Sequence, residues 1–402
     1  MKPFGPLPPE FAGQAGPLTI AGRRAEEWLA AHGSPLFVYD AAIAAARVAR
    51  FRAAFPGIDL HYAIKANPFP PLVAAMAGLV DGLDVASAGE LARALAVKPA
   101  AAISFAGPGK RDAELEAAIR AGATLNVESE GEAARALAIG ERLGVAPRLA
   151  VRVNPDLELK GSGMKMGGRP SPFGVDAERA AALVRHIVAA GADWRGLHIF
   201  AGSQALDSDA IVETQAATLA LAARLADEAG AVPPLVNLGG GFGIPYFAGD
   251  TPVDVERIGA ALAKGIAATA LDTSYAIELG RWLVAEAGVY LTRVVDRKDS
   301  RGETFAIVDG GLHHQLAASG NFGTVVRRNY PVAAAARMGA AAEETVSVVG
   351  CLCTPLDRLA DRVALPRLEV GDAVAIFLAG AYGLTASPVG FLGHPAPGEV
   401  LG

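Results

Sequence analysis

The chain is expected to fold as an α/β protein: a parallel (β/α)8 barrel joined to a β-rich domain. Three observations predict this. Eight short apolar runs of strand length alternate with helical patterns between residues 60 and 278. Polar residues collect at the ends of those runs, at Lys65, Ser87, Asn154, Ser203, Gly239 to Gly241, Glu278 and Arg281. After Arg281 the helical patterns thin out and alternating strands take over. A doubly wound open sheet would use the same βα alternation. The count of eight and the shared position of the polar residues favour a barrel, whose strand C-termini lie on one rim.

The elements follow in order. A short strand at 18–20, a helix at 24–32 and a strand at 35–39 come first. A helix over 41–54 leads to a strand at 60–65, where Asn67-Pro68 opens a turn. Helices over 70–79, 89–95, 111–121 and 131–143 lead in turn to strands at 83–87, 103–106, 124–128 and 149–154. Helices over 177–190, 208–229 and 255–270 lead to strands at 196–200, 235–238 and 275–278. Strands at 289–295, 304–308, 345–349 and 368–378, the last turning at Gly371-Asp372, build the second domain. The expected boundaries are 36–283 for the barrel, with 1–35 and 284–402 forming the β-rich domain. The stretch 160–172, rich in Gly, Pro and Met, reads as a loop over the rim.

Composition excludes several classes. Hydrophobic residues make up 52% and charged residues 19% of the 402, enough apolar side chain for a sizeable core. The net charge of −6 comes without a basic stripe, which argues against a nucleic-acid partner. The apolar runs are broken by Arg, Asp and Glu, so no membrane span is expected. Residues 1–9 lack the apolar stretch of a signal peptide. The only cysteines, Cys351 and Cys353, are spaced i, i+2, a poor geometry for a disulfide. A reducing, cytoplasmic setting is therefore expected.

Several residues stand out chemically. Lys65 ends the apolar run His61-Tyr62-Ala63-Ile64. A lysine there either snorkels to solvent or, if buried with a lowered pKa, forms a Schiff base. Asp84 and Arg152 are charges inside apolar strands, and Lys65 is the expected partner of Asp84. Gly239-Gly240-Gly241 after the seventh strand makes a tight turn or a phosphate cradle. Glu278 and Arg281 form a local ion pair, or they serve a heteroaromatic nitrogen and a phosphate. His198 lies in a strand, followed by Gly202-Ser203. Cys351-Leu352-Cys353 lacks zinc-motif spacing, and adjacent His313-His314 would point to opposite faces of a strand, so no metal is expected.

Taken together, these motifs resemble the fold-type III pyridoxal-5′-phosphate (PLP) decarboxylases, the diaminopimelate and ornithine/arginine decarboxylase family with its alanine racemase-like fold. The resemblance runs from Pro35 to Gly383 and centres on Tyr62-Ala63-Ile64-Lys65-Ala66-Asn67. It implies a PLP-binding TIM-like barrel, with Lys65 as the Schiff-base lysine and His198 stacking on the cofactor ring. Ser203, Gly239, Gly240, Gly241, Arg281 and Tyr382 match the phosphate cradle, and Glu278 matches the acid at the ring nitrogen. Asp84 and Arg152 are expected to tune the cofactor. Cys353 is expected to reach the site of a partner subunit in a homodimer with shared sites. Thr354, His313 and Arg327 are candidate substrate contacts. Thr354 stands where the family usually has an acid, and Glu278-Leu279-Gly280-Arg281 stands for Glu-Pro-Gly-Arg. The segments around Met164, His198 to Gln204 and His313-His314 are most similar to a side branch. Its members act on carrier-protein-tethered amino acids or are associated with exosortase and polysaccharide gene clusters. The expected activity is therefore α-decarboxylation of an L-amino acid or a carrier-tethered aminoacyl substrate. Diaminopimelate decarboxylase proper, a racemase on the same fold and a barrel for phosphorylated sugars without PLP are the alternatives.

Overall fold

The computed structural model describes residues 1–156, the backbone of 162–165, and residues 170–320 and 328–402. The chain divides into two compact units, one of residues 48–243 and 252–280, the other of residues 1–47, 244–251 and 281–402.

The first unit is the barrel. Its strands are β1 (Asp59–Ala63), β2 (Gly82–Val85), β3 (Ile103–Phe105), β4 (Thr124–Val127), β5 (Arg148–Asn154), β6 (Asp193–Ile199), β7 (Leu235–Gly240) and β8 (Ser274–Leu279). Neighbours pair in parallel from β1 round to β8, and β8 pairs with β1 to close the ring. The strands are buried on both faces, which is why they read as near-continuous apolar runs. Register sets polar side chains level with one another. His198 of β6 lies opposite Arg152 of β5 and Asn237 of β7, and Glu278 of β8 lies opposite His61 of β1.

Local chemistry starts and stops the helices. Ser87, Ser129, Asp207 and Asp254 each accept a backbone N–H of the first helical turn. Ser87 is thus a cap as well as a strand-end residue. Gly122, Gly144 and Gly230 end their helices in the left-handed conformation.

In the second unit, Gly288–Ser300 is the central strand. It pairs with Leu36–Tyr39, Glu303–Val308 and Ala373–Ile376. The C-terminal strand Gly398–Leu401 runs parallel to Leu36–Tyr39, so both chain ends enter this sheet. Leu36–Tyr39 therefore belongs with the β-rich unit, where the sequence boundary had assigned it to the barrel, because its hydrogen bonds go to Gly288–Ser300. The strand Arg358–Leu365 had no clear sequence signal. Its charges break the alternation, but they are paired. Arg358 meets Glu303 at 2.9 Å and Asp361 at 2.5 Å, and Lys2 meets Asp361 at 2.5 Å. Among the described residues no helix is long and apolar enough to cross a membrane.

Candidate active site

β1 stops at Ala63, and a 3₁₀ turn, Ile64–Ala66, carries Lys65. The sequence ends the strand on Lys65 and leaves open whether it is buried or reaches solvent; the strand in fact stops two residues earlier. The lysine side chain is 45% exposed. The turn is held from both sides. Tyr62 Oη donates to the Asn67 carbonyl at 2.8 Å, and Asn67 Oδ1 accepts from Phe69 N at 3.1 Å. Lys65 Nζ lies 3.9 Å from Glu278 Oε1 and 5.6 Å from the centre of the Phe200 ring.

The expected pairing of Lys65 with Asp84 is corrected. Asp84 faces His61, whose Nδ1 lies 3.4 Å from the carboxylate, while barrel closure brings Glu278 to Lys65. Burial pushes the His61 pKa down, but the Asp84 charge and hydrogen bond prevail and raise it. Asp84 Oδ2 is buried without a hydrogen-bond partner among the described residues.

Glu278 is 7% exposed and lies 3.0 Å from His198 Nε2. Burial raises its pKa, but the His198 bond and the charges of Lys65, His198 and Arg152 outweigh it, so the carboxyl is held well below its ordinary value. His198 is buried, and its Nδ1 has no partner among the described residues. Arg152 is fixed by Glu128 at 2.8 Å, and Glu128 also accepts from Gly107 N and Gly174 N. Glu128 was not singled out from the sequence. The available signal was its position at a strand end, shared with Lys65 and Glu278.

The glycine run is a close approach of backbones. A Cβ on Gly240 would lie inside the van der Waals radius of the Glu278 carbonyl oxygen, and one on Gly241 would overlap the Gly202 carbonyl. Gly239 and Gly241 have φ of +67° and +83°, where other residues are strained. Ser203 stands beside this turn, on a strand Gly202–Ala205 that pairs with Ser162–Lys165, and Ala205 N donates to the Gly241 carbonyl at 3.0 Å. Gly240→Ala is expected to cost about 1–3 kcal/mol of stability through overpacking and to weaken phosphate binding. Thermal melts and a titration with pyridoxal phosphate measure the two effects.

The remaining predicted residues lie in the β-rich unit. Arg281 Nη1 donates to Tyr246 Oη at 2.8 Å, and its guanidinium sits 4.6 Å from the centre of the Tyr382 ring. Tyr382 holds a left-handed φ of +53°. Tyr246 carried no sequence signal. Cys353 is exposed and Thr354 half-buried, on a turn closed by Gly350 N donating to the Asp357 carbonyl. His313 is fully buried; burial and its neighbours His314 and His394 lower its pKa to about 4. Arg327 lies outside the described residues, as do residues 160, 161 and 166–169 of the 160–172 loop.

A closed parallel barrel with a lysine, a buried ionised acid and a glycine cradle at its strand ends is the architecture of a cofactor-binding (β/α)8 enzyme. The chain matches the model for the pyridoxal-dependent decarboxylases, pyridoxal binding domain, over residues 42–288. It is 38% identical over 380 residues to an L-glutamyl-[BtrI acyl-carrier protein] decarboxylase of Niallia circulans, covering 92% of this chain and 88% of the relative. It is 32% identical over 397 residues to a diaminopimelate decarboxylase of Archaeoglobus fulgidus, covering 97% and 93%. A crystal structure of diaminopimelate decarboxylase from M. jannaschi superposes with a TM-score of 0.88 at 27% identity, covering 96% of this chain and 91% of that one. The protein belongs to the pyridoxal-dependent decarboxylase family.

Pyridoxal 5′-phosphate is the cofactor of this family, and the residues present fit it. An exposed amine stands beside a buried ionised carboxylate. Buried polar atoms of His198 and Asp84 lack partners among the described residues. The glycine run lets backbone N–H groups approach a phosphate.

Proposed function

We propose that this decarboxylase acts on a carrier-protein-tethered aminoacyl group rather than on a free diamino acid. One observation carries the reading. The turn that bears Cys353 offers no free acid for a distal ammonium group. Thr354 follows Cys353, and the turn's one carboxylate, Asp357, is 3% exposed and accepts from Leu312 N and Leu352 N. A substrate whose distal end is an uncharged thioester needs no such acid, whereas a free ammonium there would be left unpaired. The 38% identical relative is named for a glutamyl group on an acyl-carrier protein, which supports the same class.

Lys65, Asp84, Arg152, His198, Ser203, Gly239, Gly240, Gly241 and Glu278, with Arg281 and Tyr382, would hold the cofactor. When bound, it supplies an electron sink for the pair released as the Cα–carboxylate bond breaks. The protein supplies binding, orientation and proton control. Lys65 Nζ would hold the cofactor through its amine. Glu278 stays ionised, so it favours a protonated nitrogen opposite it. His198 Nε2 fixes that carboxylate, and Glu128 holds Arg152 rigid. The glycine turn and Arg281 bind phosphate. Cys353 Sγ returns a proton to Cα after CO2 leaves.

The test is CO2 release across a panel of free amino acids and carrier-tethered aminoacyl thioesters. Tethered glutamyl or a close analogue is expected to give the highest kcat/KM. A free diamino acid turning over faster than every thioester would overturn the assignment. Loss of optical rotation without CO2 would indicate racemisation instead.

We further propose a homodimer in which each Cys353 serves the site of the other copy. Lys65→Ala and Cys353→Ala are each expected to be nearly inactive alone, and a refolded mixture to regain CO2 release through hybrid dimers. A mixture no more active than its components would place Cys353 and Lys65 of one chain together.

A further inference from the structure

We infer that His313, Cys351 and His394 form a zinc site, an inference independent of the substrate reading. The three residues come from different segments. His313 follows the strand Glu303–Val308, Cys351 follows Glu344–Val349, and His394 follows the 3₁₀ turn Phe391–Gly393. One donor atom from each lies within 4.8 Å of the other two. Cys351 Sγ and His394 Nδ1 are 3.8 Å apart, close to the edge of a zinc tetrahedron with bonds of about 2.3 Å to sulfur and 2.0–2.1 Å to nitrogen.

The second observation is His313 itself. It is fully buried, and neither ring nitrogen has a hydrogen-bond partner among the described residues. A buried imidazole left in that state is costly, and a metal ion would engage one of its nitrogens. Its neighbour differs. His314 Nδ1 lies 3.0 Å from Tyr290 Oη and its Nε2 lies 3.0 Å from the Pro395 carbonyl, so both nitrogens are engaged. The pair lies in a turn with ring centroids 3.7 Å apart, not on opposite faces of a strand as the sequence suggested, yet the two rings find different partners and the ligand set is completed across segments.

The backbone around the site is pinned. Asp357 accepts from Leu312 N at 2.6 Å and from Leu352 N at 2.9 Å, the residues flanking His313 and Cys351. One buried carboxylate therefore positions two ligand-bearing segments. Two imidazoles and a thiolate favour zinc over magnesium, calcium or manganese. Cys351 releases its proton to solvent on binding, and the fourth position is left to water. The metal would fix the turn that carries Cys353, two residues further on.

The experiment uses the full-length holoenzyme, dialysed against a chelator and titrated with Zn2+, with bound metal counted by mass spectrometry. One Zn2+ per chain is expected in the wild type and in Cys353→Ser. Cys351→Ser and His394→Ala are each expected to weaken binding by at least about 100-fold, more than loss of an outer-shell partner costs. X-ray absorption should show one sulfur and two imidazole nitrogens. Absence of stoichiometric zinc, full affinity retained by Cys351→Ser, or a shell without sulfur would each overturn the site. Decarboxylation does not enter these readouts, so failure here is distinguishable from failure of the substrate assignment.

Discussion

Lys65→Ala loses the long-wavelength absorbance of the lysine-bound cofactor, and CO2 release falls by at least ~10³-fold, within the range attributed to a positioned acid–base group. The geometry behind this expectation is local. Lys65 is exposed on a rigid 3₁₀ turn, so truncation removes an amine without opening a core cavity. Far-ultraviolet circular dichroism and the melting temperature should stay near wild type. Lys65→Arg keeps the charge beside Glu278 but has no neutral amine, so it should be equally inactive. Wild-type CO2 release with persistent absorbance in either variant would remove Lys65 from the mechanism.

Glu278→Gln is the second large effect. The carboxylate is buried, bonded to His198 and close to Lys65. Glutamine keeps the shape but leaves Lys65 without its counter-charge. A kcat loss of roughly 10²–10³-fold is expected, comparable to losing one preorganised electrostatic partner. The pH dependence has a defined sign. The pKa of Glu278 in the folded chain lies below its unfolded value of about 4.3, so the carboxylate adds stability above that pH. The contribution drains away as pH falls through the folded value. Glu278→Gln should therefore be less stable than wild type at pH 7 and lose less on acidification, as measured by urea melts across the acid range. Parallel curves for the two proteins would show that Glu278 is not held ionised.

The glycine cradle and the histidine pair show how much local sequence carries. Gly239 to Gly241 was legible as a close-approach turn because only glycine permits it, and the structure gives the Glu278 and Gly202 carbonyls as what it approaches. Glu128, Tyr246 and Asp357 were not legible as site residues. Each acts through a partner distant in sequence, respectively Arg152, Arg281 and the backbone beside His313. The strand Arg358–Leu365 was missed for the same reason. Its charges look solvated until Glu303 and Lys2 arrive from other segments.

The sequence alone determined the eightfold βα alternation, because a period of two in strands and 3.6 in helices is written in neighbouring residues. It also placed Lys65, Glu278 and the glycine run at strand ends, hence on one rim. Only the tertiary structure decided which of these meet. β1 could have set Lys65 against Asp84 of β2, its neighbour in sequence. Closure of β8 on β1 set it beside Glu278 instead, and His61 took Asp84. Pairing across a closed barrel depends on register and shear, which no short-range pattern encodes. The same holds for His313, Cys351 and His394, which chain folding alone brings within reach of one ion.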